Sequence, residues 1–373
     1  MKKSGLLSSG GIGFTIGSQK DSTATDNTTL THNGSTVGSL SGDTTVTAGN
    51  RYRQVGSVVS APEGNIDIAA KQIDIEAAQD RYDTDYRHTF EQKGLTVAIN
   101  VPVVNAVQGA VESVKTVGKS NNGRVNAMAA ANAAWNGYQR SQSLGSTVQA
   151  LQSNNPQSAA NGISASITYG EQRNEDSSHI SGNRAAASQI NAGGKVRLAA
   201  TGGGEASNLN VTGADNAGKG GTELNADNRI TLQAAEQNHR EQSENRSSGW
   251  NAGIAVSYSE GSVAFGVTAG GNYGKGYGNG EDTTWRHSRI GNADSQTVIS
   301  SGGDTVIKGA QVGGRGITLD AANLHIESLQ DSAVYKGKQQ NISGQVTVGY
   351  GASGSASYSQ SNIEAEHKSV SQQ

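Results

Sequence analysis

Apolar residues along this chain fall two apart in short bursts, separated by runs of Gly, Ser, Asn and Asp. IDIAAKQIDIEAAQD (66 to 80) places isoleucines at 66, 68, 73 and 75, and ITLDAANLHIESLQD (317 to 331) places Ile317, Leu319, Leu324 and Ile326 at the same spacing. ELNADNRITLQAAEQ (223 to 237) repeats the second pair with Ile230 and Leu232, while in the first pair only Leu224 falls, one place off. AAKQ and EAAQ have helix-forming composition, but alternation is the strand period and its repetition decides for strands.

Taking Ile73, Ile230 and Leu324 as equivalent, the intervals are 157 and 94 residues. The longer one contains an Ala-rich stretch from 103 to about 157, whose Val104, Val107, Val111 and Val114, then Val125, Met128, Trp135 and Tyr138, step by threes, fours and a seven. Such spacing predicts a helix. The unit is therefore roughly 95 residues, with a helical insertion in its first copy.

Within each unit a Gly-turn and strand come first: SGDTTVTAG at 41, GGKVRLAATG at 193 and SGGDTVIKGA at 301. The quoted pattern follows, then a polar stretch expected to be a solvated loop, then an alternating strand: LTVAINV at 95, GIAVSYS at 253, QVTVGYG at 345. NAGIAVSYS and SVAFGVTAG form a hairpin with an Glu260–Gly261 turn, QVTVGYGASGSASYSQ forms another, and LTVAINV finds its partner in GISASITYG at 162, beyond the insertion. The expected divisions are a first unit at 1–102, the insertion at 103–160, a second unit at 161–260, and a third unit with the start of a further hairpin at 261–373.

Composition narrows the fold. Gly is 51 of 373 residues and apolar residues are only 33%, yet net charge is only −3, so a thin-cored solenoid fits better than disorder. Short alternating strands with Gly, Asn and Asp at the corners predict an all-β parallel β-helix with protruding β-hairpins and one α-helical insertion. The near-neutral balance gives no basic footprint for nucleic acid. With no Cys, disulfides, thiolate metal sites and thiol catalysis are excluded. The start lacks an apolar secretory core and no apolar run is long enough for a transmembrane helix, so a piece of a larger exported protein is expected.

The strings SSGGIGFTIGSQ, GSTVGSLSGDTTVTAGN, GSVVSAPEGNIDIAAKQIDIEAAQD and FEQKGLTVAINVPVVNAVQGAVESVKTVGKSNNGRVNAMAAANAAW resemble the haemagglutinin-repeat region of filamentous-haemagglutinin-like exoproteins. They are most similar to the contact-dependent growth inhibition toxins of Gram-negative bacteria, with GGNYGKGYGNGEDTTWRHSRIG and LDAANLHIESLQDSAVYKGKQQNISG as a later copy. The resemblance implies a right-handed β-helical stalk, secreted to the cell surface through an outer-membrane partner transporter. It implies a role in carrying a C-terminal toxin into a target bacterium, with the target's outer membrane or a surface protein as partner. An immunity protein would bind only the toxin domain, which these residues do not include. The alternative is an adhesin segment that mediates attachment.

Candidate chemistry is sparse. GADNAGKGG at 213 spaces Gly213, Gly218 and Lys219 like a P-loop but has Gly220 where Ser or Thr must hold magnesium, so a β-helix corner is the better account. GKGYGNG at 274 lacks the strand–turn–helix context of a dinucleotide site. Asp80, Asp83 and Asp85 are weighed as a calcium cluster or lyase acids against a solvated loop, which is the default. His88, His239 and His287 stand singly, and no GxSxG elbow occurs. No enzymatic role and no cofactor is expected.

The hairpin is the stronger signal. Ile254, Val256 and Tyr258, then Val263, Phe265 and Val267, share one face, with small residues opposite, a pattern also used by outer-membrane barrels. These six form the candidate membrane or partner contact. The default is that each hairpin folds its apolar face back on the stem.

Overall fold

The computed structural model describes residues 12–100, 163–259, 262–349 and 351–369. The expected helix at 103–160 lies outside them. Chain order alternates pairs of short-stranded coils with long excursions. After β1 (Ile12–Leu30) come coil one, β2 (Thr36–Gly38), β3 (Thr44–Thr47) and β4 (Arg51–Val55), and coil two, β5 (Val58–Ala61), β6 (Ile66–Ala70) and β7 (Gln72–Glu76). β8 (Ala78–Asn100) then leaves the stem and β9 (Ile163–Ala186) returns. Coils three and four are β10 (Gln189–Ala192), β11 (Lys195–Ala200), β12 (Leu209–Thr212), β13 (Asp215–Gly218), β14 (Gly221–Ala226) and β15 (Ile230–Gln233). The next excursion is β16 (Ala235–Ser259) and β17 (Ser262–Arg286). Coils five and six are β18 (Arg289–Ile290), β19 (Gln296–Ser301), β20 (Asp304–Lys308), β21 (Gln311–Val312), β22 (Gly316–Asp320) and β23 (Asn323–Glu327), followed by β24 (Asp331–Gly349) and β25 (Gly351–Ser369).

The coils stack into three parallel six-stranded sheets, β2-β5-β10-β13-β18-β21, β3-β6-β11-β14-β19-β22 and β4-β7-β12-β15-β20-β23. This is the expected parallel β-helix. Alternation turns every second residue inward, and parallel register sets like on like: Ile68, Leu198, Leu224 and Ile299 pair in line, as do Ile75, Val211, Leu232 and Ile307. All are buried and belong to one aliphatic cluster. Ile73 and Ile230 both pair with Leu209, and Leu324 lies two coils further on the same face, so the equivalence behind the long repeat holds. Of the three Gly-turn strands, those at 41 and 193 share a face, whereas DTVIK is β20 and lies on the next one. GADNAGKGG is the short strand β13 with the corners on either side of it, Gly213 at φ +61° before it and Lys219–Gly220 leading to Gly221 at φ +136° after it.

One device recurs at the base of each excursion. Gly56, Gly213 and Gly309 follow the third strand of the first coil in each pair, all left-handed at φ +53°, +61° and +63°. A Cβ at Gly56 would lie 2.6 Å from the Cβ of Ala78, and one at Gly213 would lie 2.5 Å from that of Ala235. Ala78 and Ala235 open β8 and β16, so only a left-handed, Cβ-free residue lets the long strand leave directly over the preceding corner. On the way back, Ser188 and Ser288 are fully buried. Their hydroxyls donate to the carbonyls of Glu76 and Gln233, each at 2.6 Å, and accept the N–H groups of Ser57 and Ala214. The Arg286 guanidinium adds a part-buried 2.7 Å bond to Asp215 at the second junction.

The excursions do not fold back on the stem. β1-β8-β9-β16-β17-β24-β25 form one antiparallel seven-stranded sheet with strands of 19 to 25 residues. The expected loops QDRYDTDYRH, NHREQSEN and KGKQQN are the stemward parts of β8, β16 and β24, not loops. Their polar side chains pair across strands, which makes them strand-competent without a hydrophobic face.

Candidate functional site

The six candidate residues meet by backbone register: Ile254 opposes Val267, Val256 opposes Phe265 and Tyr258 opposes Val263. The apolar row continues across the sheet, because Ile254 also opposes Ile167, Ile167 opposes Val97, Val97 opposes Phe14, and Val267 opposes Val348. A second row runs Ile16, Leu95, Tyr169, Ala252, Ala269 and Val346. The six residues named from the sequence are one hairpin's share of an apolar surface that six strands build together. Phe14 and Ile16 in GFTIG carried the same signal.

Among the described residues these rows lie open to solvent: Ile254 is 61% exposed, Phe265 66% and Val267 64%. A single-layer sheet rarely keeps so wide an apolar band in water. Folding back on the stem is thereby corrected, since the long strands pair with one another in a sheet of their own and leave these residues exposed.

The opposite face is polar, and its central threonines are buried. Thr96, Thr168 and Thr268 are at most 5% exposed, in a row between the apolar positions. Gln345 donates through Nε2 to Thr268 Oγ1 at 2.9 Å, and Gln172 donates to Asn174 Oδ1 at 2.8 Å. Gly17, Gly94 and Gly170 form the next row, where the strands approach too closely for a Cβ, which at Gly94 would sit 2.4 Å from the Ile16 carbonyl oxygen.

Toward the stem, aromatic residues border the apolar rows. Trp250 and Tyr169 lie with ring centroids 6.3 Å apart, and Tyr273 and Tyr358 are exposed on the same face. Beyond them comes a charged zone, with Arg173 3.6 Å from Glu91, Arg240 3.1 Å from Glu281 and Lys336 2.9 Å from Glu364. Tyr82 lies over Gly182 on β9 to reach His239 Nδ1 on β16 at 2.8 Å, and burial, then Asp282, pushes its phenol upward.

The three aspartates do not converge. Alternation places Asp80 on the polar face and Asp83 with Asp85 on the other. Asp80 accepts the backbone N–H of His32 at 2.8 Å and lies 3.0 Å from its Nδ1, and that backbone bond, the largest influence, holds its carboxyl below the usual range. Asp83 and Asp85 flank His179 at 3.7 and 2.9 Å. The three ligand atoms lie within 4.8 Å of one another, but all three residues are surface-accessible and already pair among themselves. His88 bridges Asp21 and Asp176 at 2.9 and 3.7 Å, and His287 Nδ1 lies 2.6 Å from the Gly309 carbonyl oxygen. These histidines are cross-strand and junction fasteners.

The hemagglutinin-repeat family model matches residues 4–94 and 169–342. Over its whole length the chain is 32% identical to part of a deoxyribonuclease CdiA of Yersinia pseudotuberculosis serotype O:3 (strain YPIII), covering 34% of that protein. It is likewise 32% identical to part of a tRNA nuclease CdiA of Escherichia coli (strain NC101) and 31% identical to part of a toxin CdiA of Yersinia pestis, covering 11% of each. The chain thus spans about a third of the first of these relatives and about a tenth of the other two. No solved structure matches.

Proposed function

The chain belongs to the hemagglutinin-repeat family, and on that premise we propose that it is a structural and delivery segment of a secreted contact-dependent growth inhibition exoprotein. It carries a toxin that lies elsewhere in the protein toward a target bacterium. In this role the segment is not itself an enzyme; the nuclease activities named for the relatives are theirs. The exoprotein reaches the cell surface through an outer-membrane transporter, and the seven-stranded sheet meets the target's outer membrane.

The observation that carries this function is the exposed apolar end of the sheet. From Ala252 to Tyr258 the apolar rows of β16 rise roughly 20 Å at strand spacing, close to the ~25 Å apolar band of outer-membrane barrels. Tyr169, Trp250 and Tyr273 stand at its stemward border, where amphipathic rings suit a membrane interface. The charged zone and the stem would stay in water. No helix among the described residues is long and apolar enough to cross a membrane.

The test replaces Ile254, Val256, Phe265 and Val267 together by Ser in the full-length exoprotein. Intoxication of target cells should fall while attachment is kept, and the purified variant chain should lose binding to outer-membrane vesicles. Undiminished intoxication would refute delivery through this surface. Loss of attachment with no vesicle binding by the parent chain would favour an adhesin.

A further inference from the structure

The two edges of the long sheet differ in sequence although both run toward the stem. β1 repeats the pattern of β9 and β17, the two returning strands that are paired on both sides. Phe14, Thr15, Gly17 and Gln19 stand where β9 has Ile167, Thr168, Gly170 and Gln172, and where β17 has Val267, Thr268, Gly270 and Asn272. β25 departs from that pattern. In the same rows it has Ala352, Ser353, Ser355 and Ser357, so the apolar band and the Thr–Gly–Gln ladders stop there. By composition β25 is a sheet edge and β1 is an interior strand, yet among the described residues β1 pairs with β8 alone.

Along its apolar half, residues 12–19, β1 also lacks the charges, prolines and bulges that protect edges; its Lys20, Asp21 and Asp26 come only after that half. It is 19 residues long and keeps unbroken register from Ile12–Ile99 to Leu30–Arg81, with no proline and no bulge. Natural edge strands are usually short, bulged or interrupted, because free backbone groups template a further strand.

We infer that the open side of β1 is a docking edge for one more outgoing antiparallel strand of this repeat type. The interface it continues is already established, since every returning interior strand here sits between two outgoing ones. The occupant has stated chemistry: aliphatic residues opposite Phe14 and Ile16, and on the other face Thr or a small residue, then Gly or Asn, opposite Thr15 and Gly17. β8 meets this with Val97, Leu95, Thr96 and Gly94. Direction excludes a second copy lying alongside, because both its edges are returning strands and would meet β1 in parallel. Only a copy turned end for end would pair antiparallel, and its apolar band would then lie beside the first copy's stem. The occupant is therefore the outgoing strand of another repeat hairpin.

The test adds a synthetic peptide with the β8 sequence, residues 78–100, to the intact chain and follows amide hydrogen exchange. Residues 12–30 should exchange about tenfold more slowly or better at saturation, and residues 351–369 should be unchanged. A peptide whose apolar set is shifted by one residue onto the other face should protect neither. No slowing in 12–30, equal slowing in 351–369, or equal effect of the shifted peptide overturns the inference. So does a chain that dimerises alone with 12–30 already protected, which would make the occupant a second copy.

Discussion

Leu224 in the stem and Val267 in the sheet are aliphatic strand residues, each between two aliphatic neighbours on adjacent strands. Leu224 lies between Leu198 and Ile299 and is fully buried; Val267 lies between Ile254 and Val348 and is 64% exposed. The difference is closure. Three stem sheets turn their inward rows on each other, while the long sheet is one layer held by cross-strand backbone bonds and polar ladders. The stem folds by burying its apolar rows, and the sheet folds while keeping its own available. A substitution pair separates the two. Leu224→Ala should destabilise the chain by about 2–5 kcal/mol in urea unfolding, and Val267→Ala by no more than ~0.5 kcal/mol. Equal losses would mean that something covers the sheet's apolar face in water.

A second substitution sharpens the stem's side. Asn216 occupies an inward position between Ile190 and Ile290, fully buried, and among the described residues neither its Nδ2 nor its Oδ1 has a partner. An unsatisfied buried amide costs about 1–3 kcal/mol, so Asn216→Val should raise stability by that order. Calorimetry should show a higher midpoint. A lower one would mean that the amide is satisfied by a buried water, and that the stem is less purely aliphatic than its stacks indicate.

The junction between the regions gives a smaller effect. Gly213→Ala must hold a Cβ at φ +61° against Ala235, and the left-handed conformation alone costs about 1–2 kcal/mol. Hydrogen exchange should quicken at the base of β16 and hardly at all in coils one and two. Gly49, whose Cβ would meet nothing within 4 Å, is the control and should tolerate Ala. If both behave alike, the glycine corner does not set where the long strand leaves.

Much of the stem was legible in the sequence, and the sheet only in part. IDIAAKQIDIE reads as two strand faces because its isoleucines recur two apart, and β6 and β7 are those strands. The hairpin partners were legible too, including 95 with 162 across the insertion. DRYDTDYRH was not, because a strand without an apolar face has no period for the pattern to find. What makes it a strand is non-local, such as His88 reaching Asp21 and Asp176 on two other strands. Exposure was equally hidden, since period two is the same whether the apolar side meets a stem, a membrane or water.

The smallest effect lies at the sheet's open edge. Asp80 on β8 ties down His32, just beyond β1, and its carboxyl is held below the ordinary range chiefly by the His32 backbone N–H. A depressed folded value means the tether contributes fully above the unfolded carboxylate pKa of about 3.9 and is lost as pH falls through the folded one. Because the pair is exposed, its worth is below ~1 kcal/mol. Global unfolding should barely register it, but exchange at residues 30–32 should quicken below that pH while buried stem amides such as Leu224 stay protected. Asp80→Asn should show the quickened exchange already at neutral pH and remove its acid dependence. If stem and edge instead respond together, the sheet is not an independently yielding layer, and the contrast between the two regions fails at the place where it should be easiest to see.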